Sequence, residues 1–344
     1  MNEIRINKMP AGTWRWLKLN DHSLKFPQTG EKGNVTETIA ANVTLSDAAI
    51  TDMRTGAGAG FEAVLADVES RTLTVPADAE AETSRINIDL ENGQTVFAKY
   101  AVVAEKNAKS TVVFDLRSAA DAEGYIGLET KVCLKEGSHV TLVALHRAGE
   151  GVTIINNIGG TCADNATLDV LHVVFSGKEN DIGCSVALEG DNSALNVENA
   201  YFAEKDHRVD LNYHVPQTGK NTESNIQVNG VLRDAAFKIN RMTIDFVKGA
   251  TGAKGLENEN VLLLGEDVVN QTVPTLLCNE EDVEGDHGCS VGRLDEGLMF
   301  YLKTRGFPEE AIYEMMSKAG LEAVFTKIPD QAIVEELLEF NEER

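Results

Sequence analysis

The chain has 344 residues, enough to bury one large core, and its 55 acidic against 31 basic residues give a formal charge of −24. That balance repels phosphate backbones and anionic membranes, which need clustered Lys and Arg, so neither nucleic acid nor membrane is an expected partner. The five cysteines, Cys133, Cys162, Cys184, Cys278 and Cys289, form an odd set without a CxxC pair; this argues against a disulfide framework and a closed zinc site, and most read as buried small apolar residues.

The opening MNEIRINKMPAG has no apolar run able to act as a signal peptide, and no later stretch approaches the roughly 20 apolar residues that span a bilayer. A cytoplasmic location is the expectation. Residues 1–71 read as a loosely built, partly helical or irregular segment. Within it, Trp14 and Trp16 of MPAGTWRWLKLND are expected to anchor packing, and FEAVLADVES suits a short helix. GAGAG at 56–60 lacks the strand-turn-helix context of a phosphate cradle.

Residues 72–290 carry many short runs of period-two alternation, each closed by Gly, Asn, Asp or Lys. RVDLNYHV places Val209, Leu211, Tyr213 and Val215 on one face and Asp210, Asn212 and His214 on the other; INRMTIDF does the same with Met242, Ile244 and Phe246. These predict half-buried strands. Strands without intervening helical patterns indicate a mainly β core, whether sandwich, barrel or solenoid. The high strand number, and asparagines expected at strand ends (Asn156, Asn157, Asn165, Asn192, Asn196, Asn199), favour a parallel β-helix, although no hexapeptide or nonapeptide repeat is visible. Such a core exposes its terminal coils, which need capping segments.

Residues 291–344 supply helices that suit this role. In FPEEAIYEMMSKAG, Pro308 opens a helix, Lys318 lies near its negative end, Gly320 is the expected stop, and Ala311, Ile312, Met315, Met316 and Ala319 form the apolar stripe. In DQAIVEELLEFNEER, Asp330 is the expected cap, with Ile333, Val334, Leu337 and Leu338 on one face. Two amphipathic helices following a β core form a usual docking surface for another protein.

No phosphate loop, nucleophile elbow or HExxH helix is present. The histidines His139, His146, His172, His207 and His214 lie in or beside predicted strands, where imidazoles are usually hydrogen-bonded surface or core groups. EEDVEGDHG differs: His287 is flanked by Glu280, Glu281, Asp282, Glu284 and Asp286, with Cys278 and Cys289 nearby. Imidazole, carboxylate and thiolate are a ligand set for iron or zinc, while the bland reading is a solvated acidic turn. A carbohydrate-active β-helix would carry two or three carboxylates on one groove face, and no spacing marks such a group.

At these residues the chain resembles the SufB/SufD family of iron–sulfur cluster assembly proteins. DVEGDHGCSVGRLDEGLMFYLKTRGFPEEA carries the resemblance most strongly, NGVLRDAAFKINRM and ENVLLLGEDVVNQTVPTLL resemble the family's late strands, and VPADAEAETSRINIDL and AVVAEKNAKSTVVF its early ones. The resemblance implies a right-handed parallel β-helix core with a short N-terminal segment and a small C-terminal helical domain. It further implies a non-catalytic scaffold that pairs through its β-helix with a SufB-like subunit or a second copy of itself. A SufC-type ABC ATPase would dock on the helical part at Phe300, Tyr301, Arg305, Gly306 and Pro308. A transient cluster or iron would form at the subunit interface, and this chain would bind no nucleotide. His287 matches a histidine of SufD proteins held to be a ligand; Gly288 stands where SufB has an acid, and Glu259 where SufB has its sulfur-receiving cysteine. Both departures point to SufD. Gly285 replaces a cysteine common in SufD, so thiolate ligation falls to Cys289, Cys278 or another subunit, with His287, Cys289 and Glu259 as the expected metal-site residues. One histidine and one cysteine do not complete the usual four cluster ligands. The rival readings are a SufB-like homodimer with the ATPase and, in another class, a carbohydrate-active or structural β-helix.

Overall fold

Alternating apolar side chains need a common interior, and a coil of two strands provides one when each coil stacks on the last. The computed structural model describes residues 1–12, 15–31, 33–50 and 53–343. Its strands form two nine-stranded sheets plus a two-stranded hairpin, Asn2–Ile6 with His22–Phe26. From Ser70 onward consecutive strands alternate between the two sheets and same-sheet neighbours run parallel, giving a β-solenoid of about eight turns. Val209, Leu211, Tyr213 and Val215 all point into the lumen and are at most 1% exposed.

The coil length is the repeat that a hexapeptide search misses. Ala194 lies beside Glu223 and Glu223 beside Lys254, so one coil takes roughly 30 residues. One corner is marked by left-handed residues stacked along the solenoid: Asp78, Asn107, Gly137, Asn165, Asn192, Asn221 and Gly252. From Asn107 to Gly252 each donates its backbone N–H to a carbonyl of the next coil at 2.7–2.9 Å. Asparagine and glycine tolerate this conformation where other residues are strained. Asn165 and Asn192 therefore occupy corners as expected, whereas Asn156, Asn157, Asn196 and Asn199 lie within strands.

The two strands Arg208–Gln217 and Phe237–Phe246 are buried on both faces rather than half-buried. Asp210, Asn212 and His214, expected at the solvated face, are at most 4% exposed because the N-terminal segment lies across them. Asn212 donates to the Gly56 carbonyl at 2.9 Å, and Ala57 N donates to Asn157 Oδ1 at 2.8 Å. GAGAG is thus a packing strap. A Cβ at Gly56 would lie 1.9 Å from Cys184 N, and one at Gly60 2.2 Å from Arg5 O. Helix α1, Ala59–Glu62, covers only the start of the expected FEAVLADVES helix, held by Phe61 in a cluster with Ile6, Phe26 and Phe97. Trp16 is 79% exposed and anchors nothing; Trp14 falls outside the described residues.

Three helices follow the last strand: α2, Glu296–Thr304; α3, Glu309–Phe325; and α4, Gln331–Glu343. They do not cap the solenoid end. Instead α3 and α4 lie along the outer face of one sheet, because Val143, Leu145, Leu171, Val173, Phe175 and Phe202 make that face apolar. Helix α3 runs past Gly320, whose missing side chain permits close approach: a Cβ there would lie 3.1 Å from Val231. Its buried face is Ile312, Ser317, Leu321, Val324 and Phe325, so the expected stripe holds only at Ile312, and Met315 is exposed. The Asp330 carboxylate accepts from Ala332 N and Ile333 N, capping α4, whose Leu338 faces outward. Glu336 pins α4 to the solenoid through Arg85 and Arg147, both of which also hold Asp115.

Candidate functional site

The last coil has no successor, so inward-facing residues that would be buried elsewhere meet solvent here. EEDVEGDHG is not a turn: His287 and Cys289 belong to the strand Val283–Gly292, which pairs only with Ala253–Leu264 among the described residues. Every residue of this strand is exposed or partly exposed, and its outer edge carries free backbone groups. Parallel register sets His287 beside Glu257 and Cys289 beside Glu259. Aligned residues point the same way, and Ala253 and Val261 of the same alternation belong to the core. Glu257 and Glu259 therefore project into the lumen beneath the two exposed ligand candidates.

Glu259 is 1% exposed and tightly held. Its Oε1 accepts from Lys238 Nζ at 2.6 Å and Asn240 Nδ2 at 3.1 Å, and its Oε2 accepts from Thr272 Oγ1 at 2.5 Å. Cys289 Sγ lies 3.9 Å from that same Oε2 and 3.9 Å from Thr272 Oγ1. Lys238 spends its other protons on Gln271 O and Thr272 Oγ1, both at 3.1 Å. Burial lowers the Lys238 ammonium, and Glu259 opposes that shift. Glu257 has no such cation; burial raises its carboxyl to about 8, and its Oε2 accepts from Thr275 N at 3.1 Å. Tyr201 reaches toward this group from the strand Ala194–Ala203. Its ring fills the space left by Gly230, where a Cβ would lie 1.9 Å from Cζ, and its buried hydroxyl makes no hydrogen bond.

Of the expected metal-site residues, the fold brings Glu259 and Cys289 together and leaves His287 on the same strand face, two residues away. The three do not converge on a single point within ligand distance. Lys238, Glu257 and Tyr201 were not singled out from the sequence. Lys238 and Glu257 sit at apolar-phase positions of their strands, a signal visible only once the strand phase is known. Cys162 and Cys184 line the lumen, where burial pushes both thiols up to about 12. The expectation of mostly buried cysteines fails for the others: Cys133 points outward, and Cys278 and Cys289 lie exposed on the uncovered last coil.

The residues expected to dock an ATPase lie just beyond this coil. Helix α2 buries none of its residues; Phe300 is 71% and Tyr301 52% exposed, and Phe307 is exposed beside them. Arg305 stacks over Tyr301 at 5.1 Å, Gly306 ends the helix at φ 93°, and Pro308 immediately precedes α3.

The profile of the SUF system FeS cluster assembly SufBD core domain matches residues 86–320. The chain belongs to the SufBD family. It is similar to iron–sulfur cluster assembly protein SufD of Bacillus subtilis, at 23% identity over 270 residues, covering 77% of this chain and 62% of that protein. A SufBD family protein of Methanothermobacter thermautotrophicus is 23% identical over 68% of this chain and 57% of its own length, and one of Pyrococcus horikoshii is 24% identical over 68% and 52%. The chain thus spans between half and two thirds of the length of these relatives. No described helix is long and apolar enough to cross a membrane.

Proposed function

We propose that this SufBD chain is a cytoplasmic, non-catalytic scaffold subunit of a SUF complex, of the SufD kind. It pairs through its β-helix with a SufB-like subunit or a second copy, and iron or a nascent cluster is the cargo at that seam. His287 and Cys289 supply ligands, and Glu259 assists iron entry. The observation that carries this reading is the incomplete donor set on an uncovered terminal coil: an exposed histidine and thiol over a buried carboxylate, beside an unpaired strand edge. One chain leaves coordination unfinished, so a second must complete it. The aromatic surface around Phe300, Tyr301 and Arg305, ending at Gly306 and Pro308, takes a SufC-type ATPase. Because α3 and α4 are fixed to the solenoid through Glu336 and an apolar face, movement at that dock reaches the β-helix as a rigid push.

The test is anaerobic co-expression with the SUF ATPase and a SufB-like chain, followed by iron and sulfide analysis of the purified complex. Wild type should retain iron, His287→Ala should lose it with the complex intact, and Phe300→Asp with Tyr301→Asp should lose the ATPase. Failure of any complex to form would overturn the scaffold reading; a complex with unchanged iron in the mutant would remove His287 from the site.

A further inference from the structure

Where the N-terminal hairpin crosses the outer face of one sheet, two aspartates lie side by side on adjacent strands. Asp181 and Asp210 are register partners, and both are 0% exposed. Like charges directly opposite each other destabilise a sheet unless a cation sits between them. Asp210 is held by two cations and an amide: Arg241 Nη1 donates to Oδ1 at 2.6 Å, Arg208 Nη2 to Oδ2 at 3.0 Å, and Asn7 Nδ2 to Oδ1 at 2.8 Å. Asp181 has none of these. Both of its oxygens are buried and accept no hydrogen bond. The nearest cationic candidate is His22 of the hairpin, with Nε2 3.8 Å from Asp181 Oδ1 and 2.9 Å from Glu179 Oε1.

The two arginines act on Asp181 only through space, since their hydrogen bonds to carboxylates go to Asp210 and none reaches Asp181. Arg241 also donates to the carbonyls of Leu19 and Asp21, and Arg208 stacks over Phe237 at 4.1 Å while reaching Glu179. What remains is a buried carboxylate with its lone pairs unused. It faces one imidazole and a second carboxylate, and one ligand atom from each of His22, Asp181 and Asp210 lies within 4.8 Å of the others. Among the described residues this is the only such group of histidine, cysteine or carboxylate ligands.

We propose that His22, Asp181 and Asp210 bind a divalent transition metal that fastens the N-terminal hairpin to the solenoid. One imidazole with two carboxylates suits Zn²⁺, Mn²⁺ or Fe²⁺ better than Ca²⁺ or Mg²⁺, which prefer all-oxygen sites. Glu179 Oε1, 2.9 Å from His22 Nε2, orients the imidazole, and Arg241 and Asn7, both on Asp210 Oδ1, are the outer partners that orient a ligating carboxylate. The site is separate from the terminal coil and independent of the cluster-assembly reading.

The experiment uses the full chain carrying His287→Ala and Cys289→Ser, stripped with chelator and titrated calorimetrically with Zn²⁺ alone and with Mn²⁺ alone. One equivalent should bind, with a rise in melting temperature. Asp181→Asn and His22→Gln should each weaken binding at least tenfold and abolish that rise. The metal-free Asp181→Asn chain should melt no lower than its metal-free parent, since it removes an unpaired buried charge, and this shows that it folds. Absence of a stoichiometric site in the parent, or binding by both variants as tight as the parent's, would overturn the proposal.

Discussion

The Lys238–Glu259 pair is the most exacting test of how the open end of the solenoid is held. Both side chains are fully buried, the contact is 2.6 Å, and Lys238 Nζ has three acceptors in all. Replacing Lys238 with Met leaves Glu259 charged and desolvated with only the neutral donors Asn240, Thr272 and the Cys289 thiol, a loss of about 3–5 kcal/mol for breaking a buried pair. Glu259→Gln is gentler, about 1–3 kcal/mol, because an amide oxygen still accepts from Lys238. The double variant should be less damaging than the two singles summed, with a coupling of about 2 kcal/mol or more. Coils of a solenoid contact only their neighbours, so the loss should appear locally. The assay is native-state hydrogen exchange over Phe237–Phe246 and Ala253–Leu264, where Lys238→Met should speed exchange roughly 10²-fold or more. A change under tenfold, or strictly additive variants, would refute the claim that this pair is desolvated and mutually dependent.

Three further outcomes are expected. Glu336 is held down to about 2 first by its hydrogen bond to Arg85, so its stabilisation is full above the ordinary carboxylate value of 4.5 and disappears as pH falls from there through 2. The nominal shift is about 3 kcal/mol, but the half-exposed group is screened by solvent, so Glu336→Gln should cost about 1 kcal/mol in urea unfolding at pH 7 and nothing near pH 2. Phe325→Ala should cost about 3–5 kcal/mol and release α3 to limited proteolysis, since its ring packs fully buried against Phe175 at 5.7 Å between centroids; an unchanged digestion pattern would count against that docking. In thiol labelling of the native chain, Cys278 and Cys289 should react first and Cys162 and Cys184 only after unfolding, and early modification of Cys184 would contradict its burial in the lumen.

The sequence by itself determined the strands and the class. Period-two alternation in RVDLNYHV and INRMTIDF is a local property of the backbone, because successive side chains leave a strand on opposite faces, and it fixed which residues enter the lumen. It also determined the helical tail, whose cap at Asp330 is a contact over two or three residues. The family resemblance carried by DVEGDHGCSVGRLDEGLMFYLKTRG pointed to His287, Cys289 and Glu259. What covers each outer face was decided only in three dimensions. TLVAL and VLHVVF are apolar on both faces, yet only the folded chain shows α3 and α4 lying there instead of capping the coil. Likewise Asp210 and Asn212 read as solvated until the N-terminal segment supplies Asn7, 203 residues before Asp210, and Gly56, 156 before Asn212, as their partners. The same limit applies to the site: alternation makes Lys238 and Glu257 anomalous, but their burial beneath His287 and Cys289 depends on parallel register across coils of roughly 30 residues. Local pattern decides which way a side chain points; stacking at long sequence separation decides what it meets.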